Sequence, residues 1–317
     1  MKVFIDFSTI KAAKRNDLSN PITAAFHSIA QGIVSSDFHT LVKTADEADV
    51  VFVFGSITKR KPDTERAISI SNHRANKKKI LSLDSALFST YIRRHLNSSE
   101  TNFFRIGLHD CTGTGDFLNE GSKKTRYSWL KKTFNFTEKD PQCDNTKPIM
   151  FALQSEKGWM YDNTEPYFVW AKNTIAKIRE RTDRLILLKP HPNTDRYPVE
   201  WIASGYSNVQ ILGQDKTRRD IIDDLANVGA LITHSSSAAC ESYVEGIPTF
   251  ALDKRCVVYK ACQHDLTNIN SLEKINWSKR KQILNNWAFT SWHVDELKNP
   301  HLIHYYLEKV KQKCTTH

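Results

Sequence analysis

The stretch LILLKPHPNTDRY, residues 185–197, decides how the rest of the chain reads. Leu185 to Leu188 is a short, continuous apolar run, the pattern of a strand covered on both faces of a parallel sheet. Pro190 and Pro192 flank His191. Neither proline can donate a ladder hydrogen bond, so the strand must end there. The chain therefore places a fixed charge, Lys189, and a titratable ring, His191, at the carboxyl end of a buried strand. In open α/β sheets that is where ligands bind.

Outward from this stretch, strand and helix signals alternate. Strands are predicted at Lys2–Phe7, Asp49–Gly55, Lys79–Asp84 and Phe103–Leu108, with helices over Pro21–Val34, Pro62–Ala75, Ser85–Leu96 and Tyr127–Thr133. A polar, turn-rich segment, KDPQCDNTKP at 139–148, then interrupts the pattern. The alternation restarts with strands at Pro148–Gln154, Leu185–Lys189, Val209–Leu212, Ala230–Thr233 and Pro248–Leu252. Helices fall between them at Pro166–Arg181, Asp220–Val228 and Ser236–Glu245, and a tryptophan-rich helical end follows. Two successive alternations predict an α/β fold of two Rossmann-like doubly wound domains facing a cleft, residues 1–145 and 146–317.

A chain of 317 residues with 40% hydrophobic content and no apolar run near twenty residues reads as soluble, without stable membrane insertion. The start, MKVFIDF, lacks the pattern of a secretory signal. The cysteines at 111, 143, 240, 256, 262 and 314 form no CxxC pair and no zinc-finger spacing, which fits free thiols in a cytoplasm. The net charge of +10 is uneven. Residues 1–147 hold 23 lysines and arginines against 16 acidic residues, and residues 148–317 hold 22 against 19, so +7 and +3. The basic half carries clusters: Lys59, Arg60 and Lys61; Lys77, Lys78 and Lys79; Arg93 and Arg94; Lys123, Lys124 and Arg126. Such a surface favours nucleic acid, acidic glycans or anionic membrane.

A second signal is ALITHSSSAACESYVEGIPTF, residues 230–250. A buried strand ends on His234, and Ser235, Ser236 and Ser237 lead into a helix that Gly246 stops. A serine turn at a helix amino terminus offers hydroxyls, backbone N–H groups and the positive dipole end, which suits phosphate. If both strands share a sheet, Lys189, His191 and the serine turn open onto one edge and can converge on a diphosphate. Glu241, about a turn into the helix, can accept from a ribose, while Gln154 and Trp159 follow the first strand of the second domain and can face the same donor.

The ordered pair, a strand ending in K-P-H-P and then a serine turn with S-S-x-x-x-x-E-x-x-x-x-G-x-P, resembles the carboxyl-terminal domain of GT-B glycosyltransferases. A closer resemblance is to phage-encoded glycosyltransferases associated with hypermodified DNA bases. It is carried by FFRIG at 103–107, ALQSEKGWM at 152–160, IRERTDRLILLKPHP at 178–192, HSSSAACESYVEGIPTF at 234–250 and WAFTSWHVDEL at 287–297. That resemblance implies a nucleotide-sugar donor, a UDP-sugar by default, in the second domain. The first domain would hold double-stranded DNA bearing 5-hydroxymethylcytosine or 5-hydroxymethyluracil, in the cytoplasm of an infected host. Terminal helices crossing back to the first domain are implied as well. The base would come from Asp110 or Asp116, in the loop after FFRIG, with Asp84 behind them. No metal-ligand spacing appears, so metal-independent turnover without a cofactor is expected. The rival readings are a capsule, lipopolysaccharide or teichoic-acid type transferase at the membrane surface, and a non-catalytic nucleic-acid-binding α/β protein.

Overall fold

The computed structural model describes residues 1–55, 64–98, 101–119, 125–154, 165–191, 196–213 and 221–315. In chain order these form β1 (Lys2–Ile5), α1 (Pro21–Val34), β2 (Thr40–Leu41), β3 (Val50–Phe54), α2 (Glu65–Ala75), β4 (Lys79–Ser85), α3 (Ser89–Leu96), β5 (Phe103–Leu108) and α4 (Thr125–Thr133). Next come β6 (Ile149–Ala152), α5 (Tyr167–Arg179), β7 (Ile186–Lys189), α6 (Arg196–Ala203), β8 (Val209–Ile211), α7 (Ile221–Leu225), β9 (Ala230–Thr233), α8 (Ala238–Val244) and β10 (Thr249–Ala251). The chain continues through α9 (Arg280–Ala288), β11 (Ser291–His293) and α10 (Pro300–Thr315).

Two compact units result: Met1–Phe136 with Leu284–His317, and Thr137–Ile283. The first division falls after Phe136 rather than at 145/146. The segment beyond Phe136 is hydrogen-bonded into the second unit, through Lys139 N–H to Val244 O at 3.1 Å and Gln142 N–H to Gly246 O at 2.8 Å. Residues 284–317 sit with the first unit because β11 pairs with β5, and Ile303, Tyr306, Leu307 and Val310 of α10 enter the first core.

The first sheet has the order β11-β5-β4-β3-β1-β2. Val50 and Phe52 of β3 face a core shared with α1 and α10, while Val51 and Val53 face a second core with Ile70 of α2. Both faces are covered, so the strand is apolar without alternation. β1 to β4 are parallel, but β5 runs against β4, with Leu81 opposite Leu108 and Ser85 opposite Phe104. The chain leaves β4 at Ser85, passes through the eight residues of α3, and re-enters the sheet at the edge it left. β11, predicted as helix, is antiparallel to β5 and so runs with β4.

The second sheet, β10-β9-β6-β7-β8, is parallel throughout. Its order reverses at β6, as in a doubly wound fold. Ile149, Phe151, Ile186, Leu188 and Ile232 pack on Ala171, Ile175 and Ile178 of α5.

Arg126, expected to meet nucleic acid, is committed inside the first unit. Its guanidinium grips Glu296 at 2.5 and 2.6 Å, donates to Ser291 O, and lies between Trp129 and Trp292 at 4.4 and 4.6 Å from the ring centres. Arg126→Ala is expected to lower the unfolding free energy by about 3 kcal/mol, since it leaves Glu296 unpaired and removes two cation–π contacts. Arg126→Lys should recover less than half, because an ammonium cannot reproduce the planar fork. Urea denaturation of the three proteins checks both.

Candidate functional site

Ala152 lies opposite both Lys189 and Thr233, so β6, β7 and β9 end level with one another. Gln154, Lys189 and Ser235 therefore leave the second sheet at the same carboxyl edge, beside the strand where the order reverses. Gln154 Nε2 donates to Ser235 Oγ at 2.8 Å. Ser235 Oγ is 3.0 Å from His234 Nδ1, and His234 Nε2 is 3.4 Å from Asp253 Oδ2. Arg255 holds that carboxylate through Nε at 2.7 Å and Nη2 at 2.9 Å.

These contacts set a direction. The Asp253 carboxylate only accepts, so it favours the His234 proton on Nε2. Nδ1 then accepts the Ser235 hydroxyl proton, and the Ser235 oxygen accepts from Gln154. Ser235 was expected to donate to a phosphate; here its proton goes to His234. Burial lowers the His234 pKa to about 4 from 6.5, with Asp253 opposing the shift and Arg255 reinforcing it. The ring is neutral at neutral pH, as the relay requires.

Lys189 is ion-paired to Asp224, and both side chains are largely buried. Asp224 was missed because it lies on α7, whose short acidic run reads as solvated. His191 is half-buried two residues beyond Lys189. Trp159 lies outside the described residues. Ser237 is the first non-helical residue before α8 and makes no side-chain cap, while Ser236 Oγ accepts from Ala238 N–H at 3.3 Å. Ser236 N–H already goes to Thr233 Oγ1 at 3.3 Å, so the turn's backbone donors are fewer than expected. Glu241 is 2% exposed on a helix buried on every side. It is no surface carboxylate.

In the first unit the three predicted carboxylates are not brought together. Asp84 ends β4 at the carboxyl edge, paired with Arg105 at 2.8 Å. Because β5 runs backwards, Asp110 and Asp116 emerge beside the start of β4. There Asp110 accepts from Thr112 N–H at 2.7 Å, and Asp116 accepts from Leu118 N–H at 2.9 Å and pairs with Lys313 at 2.9 Å. Both hold turns in the loop. One buried pair was missed: Asp6, directly after β1, accepts from His73 Nε2 at 2.8 Å and from Ser69 and Ser8. Burial alone would raise the Asp6 pKa, but the bonds from His73, Ser69 and Ser8 outweigh it and hold the carboxyl below 3.8. Such a carboxylate is an anchor and a poor base.

The basic residues separate too. Lys77, Lys78 and Lys79 lie where β4 begins, with Lys78 Nζ donating to Asp46 O and Ala48 O. Arg93 and Arg94 lie in the last turn of α3. Lys59, Arg60, Lys61, Lys123 and Lys124 fall outside the described residues. Among the described residues no three His, Cys, Asp or Glu side chains gather as a metal would need. No described helix is long and apolar enough to cross a membrane.

Two Rossmann-like α/β units, the second doubly wound around a polar strand-end cluster, define a GT-B type of fold. No family model matches the chain, and no curated protein matches it. Among solved structures it is similar to the Thermosulfurimonas dismutans KpsC β-Kdo 2,7 transferase, with 12% identity, 94% of this chain and 98% of that one covered, and a TM-score of 0.50. The β-Kdo 2,4 transferase of the same organism's KpsC gives 12% identity, 96% and 98% coverage, and a TM-score of 0.47. A Methanocaldococcus jannaschii UDP-GlcNAc 2-epimerase, in complex with UDP-GlcNAc and UDP, gives 13%, 96% and 100%, and 0.37. At these identities the likeness is one of fold.

The lowered His234 pKa carries a stability consequence. Above the unfolded value of 6.5 the ring is neutral in both states. As pH falls from there toward about 4, the unfolded chain takes the proton first and the folded state loses ground. Between pH 7.5 and 5 the wild type should lose about 2 kcal/mol more than His234→Gln, read by denaturant titration at both pH values. Equal losses would contradict a buried neutral imidazole.

Proposed function

We propose that this chain is a glycosyltransferase that moves a sugar from a nucleoside diphosphate donor, held by the second unit, to an acceptor hydroxyl held by the first. The observation that carries the reading is the level ending of β6, β7 and β9, which gathers Gln154, Lys189 and the 234–237 turn at one edge. In the reaction the bond from the anomeric carbon to the diphosphate oxygen breaks, and its electron pair stays on the phosphate. The acceptor oxygen bonds to that carbon and its proton leaves. Lys189, steered by Asp224, meets the charge developing on the leaving group, and the Ser236 and Ser237 hydroxyls add donors. Ser235, with its proton turned to His234, suits a hydroxyl of the donor better than a phosphate oxygen. Of the candidate bases, Asp84 stands on the carboxyl edge of its sheet.

For the acceptor, the favoured reading is a hydroxymethylated cytosine or uracil in duplex DNA. The charge asymmetry of the chain and the exposed Arg94 at the end of α3 support it, since duplex binding rests on phosphate neutralisation. A hydroxymethyl on C5 of the base projects into the major groove.

Nucleoside mass spectrometry tests this. Hydroxymethylcytosine DNA, hydroxymethyluracil DNA and plain DNA are incubated with the protein and a panel of nucleotide sugars, then digested. A nucleoside heavier by one sugar, from modified DNA alone, is expected. Lys189→Ala and His191→Ala should lower turnover at least a hundredfold while salt-dependent DNA binding persists, and a fully active His191→Ala would remove that residue from the donor site. Turnover is expected to be unchanged in excess chelator, and a strict requirement for Mg²⁺ or Mn²⁺ would refute metal independence.

A further inference from the structure

The backbone holds His234 and Asp253 side by side. Leu252 N–H donates to Thr233 O at 2.9 Å and Asp253 N–H to His234 O at 3.1 Å, which carries the pairing of β9 and β10 past both strand ends. Trp170 of α5 meets the buried imidazole edge to face, with ring centres 5.1 Å apart. Arg255 grips the Asp253 carboxylate with its backbone N–H at 2.8 Å, Nε at 2.7 Å and Nη2 at 2.9 Å. Burial alone would raise the Asp253 pKa, but the bonds from Arg255 and the neighbouring His234 outweigh it and keep the carboxyl below its ordinary value.

Only one direction of hydrogen bonding suits these positions. An ionised carboxylate 3.4 Å from Nε2 places the ring proton on that nitrogen. The reverse chain, with Nδ1 donating to Ser235, would set a bare Nε2 against the carboxylate. Ser235 Oγ therefore gives its proton to Nδ1 at 3.0 Å and takes one from Gln154 Nε2 at 2.8 Å. A hydroxyl oxygen accepts twice, so one lone pair remains, on a side chain half-buried at the sheet edge. That oxygen has no proton to offer. It repels a phosphate oxygen, which also only accepts, and it takes a hydroxyl proton.

We propose that Asp253 is a positioning residue: through the His234 tautomer it makes Ser235 an acceptor-only contact, so that this turn selects a hydroxyl group of the nucleotide sugar. This rests on the donor reading above and deepens it. Asp253→Asn should reverse the polarity. An amide N–H can donate to Nε2, which moves the ring proton to Nδ1. Nδ1 and Gln154 then both donate to Ser235, and its own O–H is released toward the ligand.

The first test needs no substrate and no variant of Asp253. Histidine nitrogen NMR of the full chain at neutral pH, with the His234 signal assigned by its loss in His234→Gln, should show the wild-type ring protonated on Nε2. A wild-type ring protonated on Nδ1 overturns the proposal. Asp253→Asn should show the opposite tautomer. Calorimetry then measures binding of UDP, of UDP-glucose and, for each UDP-glucose hydroxyl, of the deoxy and deoxyfluoro analogues. At one hydroxyl both analogues should bind the wild type about fivefold more weakly, because neither can donate. With Asp253→Asn the fluoro analogue should bind about threefold better than the deoxy one, since fluorine can accept the released proton. Ser235→Ala should level all three ligands. A wild type indifferent to every hydroxyl, or analogues ranked alike by wild type and Asp253→Asn, overturns the proposal. Wild-type protein that binds neither UDP nor UDP-glucose overturns the UDP-sugar reading and the hydroxyl selection with it, while the histidine spectrum judges the role of Asp253 separately.

Discussion

A parallel strand delivers the loop after it to one edge of its sheet only, and strand direction is the constraint on which every placement in this molecule depends. In the second unit all five strands agree in direction, so three stretches of the sequence, the end of PIMFALQ, Lys189 to His191, and HSSS, leave the sheet at one edge. In the first unit a single reversal at β5 sends the glycine-containing loop at 109–117 to the edge where β4 begins. The same reversal lets β11 return in the parallel sense and brings His293 to the carboxyl edge.

Much of this was legible. Continuous apolar runs such as DVVFVFG and ALIT are strands because helices cover both faces, and α1 runs from Pro21 to Val34 as its apolar spacing predicts. The direction of β5 was hidden. Covered strands look alike whichever way they run. The SWH strand was hidden as well, being three residues inside a stretch with helical neighbours. For the candidate site, residue types were legible and their commitments were not. Lys189 reads the same whether or not Asp224 stands beside it, and Arg126 reads as a surface charge although two tryptophans enclose it.

The site also shows why hydrogen-bond direction matters more than a count of polar groups. A carboxylate at one end, Asp253, has no proton to give, and this orients His234 and then Ser235. His234 is the buried member of this chain, and leaving a buried polar group unmatched costs about 1–3 kcal/mol. The ion pair of Lys189 with Asp224 follows the same logic. Burial of one charge alone would be costly, so each side chain is placed against the other at the sheet edge.

The first unit is assembled from both ends of the chain, and that has a consequence for its biosynthesis. On a ribosome the second unit emerges complete before residues 284–317 appear. Until then β5 is an open edge at Phe103 to Arg105, the residues β11 will cover, and these face any other strand nearby. The nascent first unit is therefore most prone to aggregate in the interval before its last strand arrives, and chaperone demand should fall on that half of the protein.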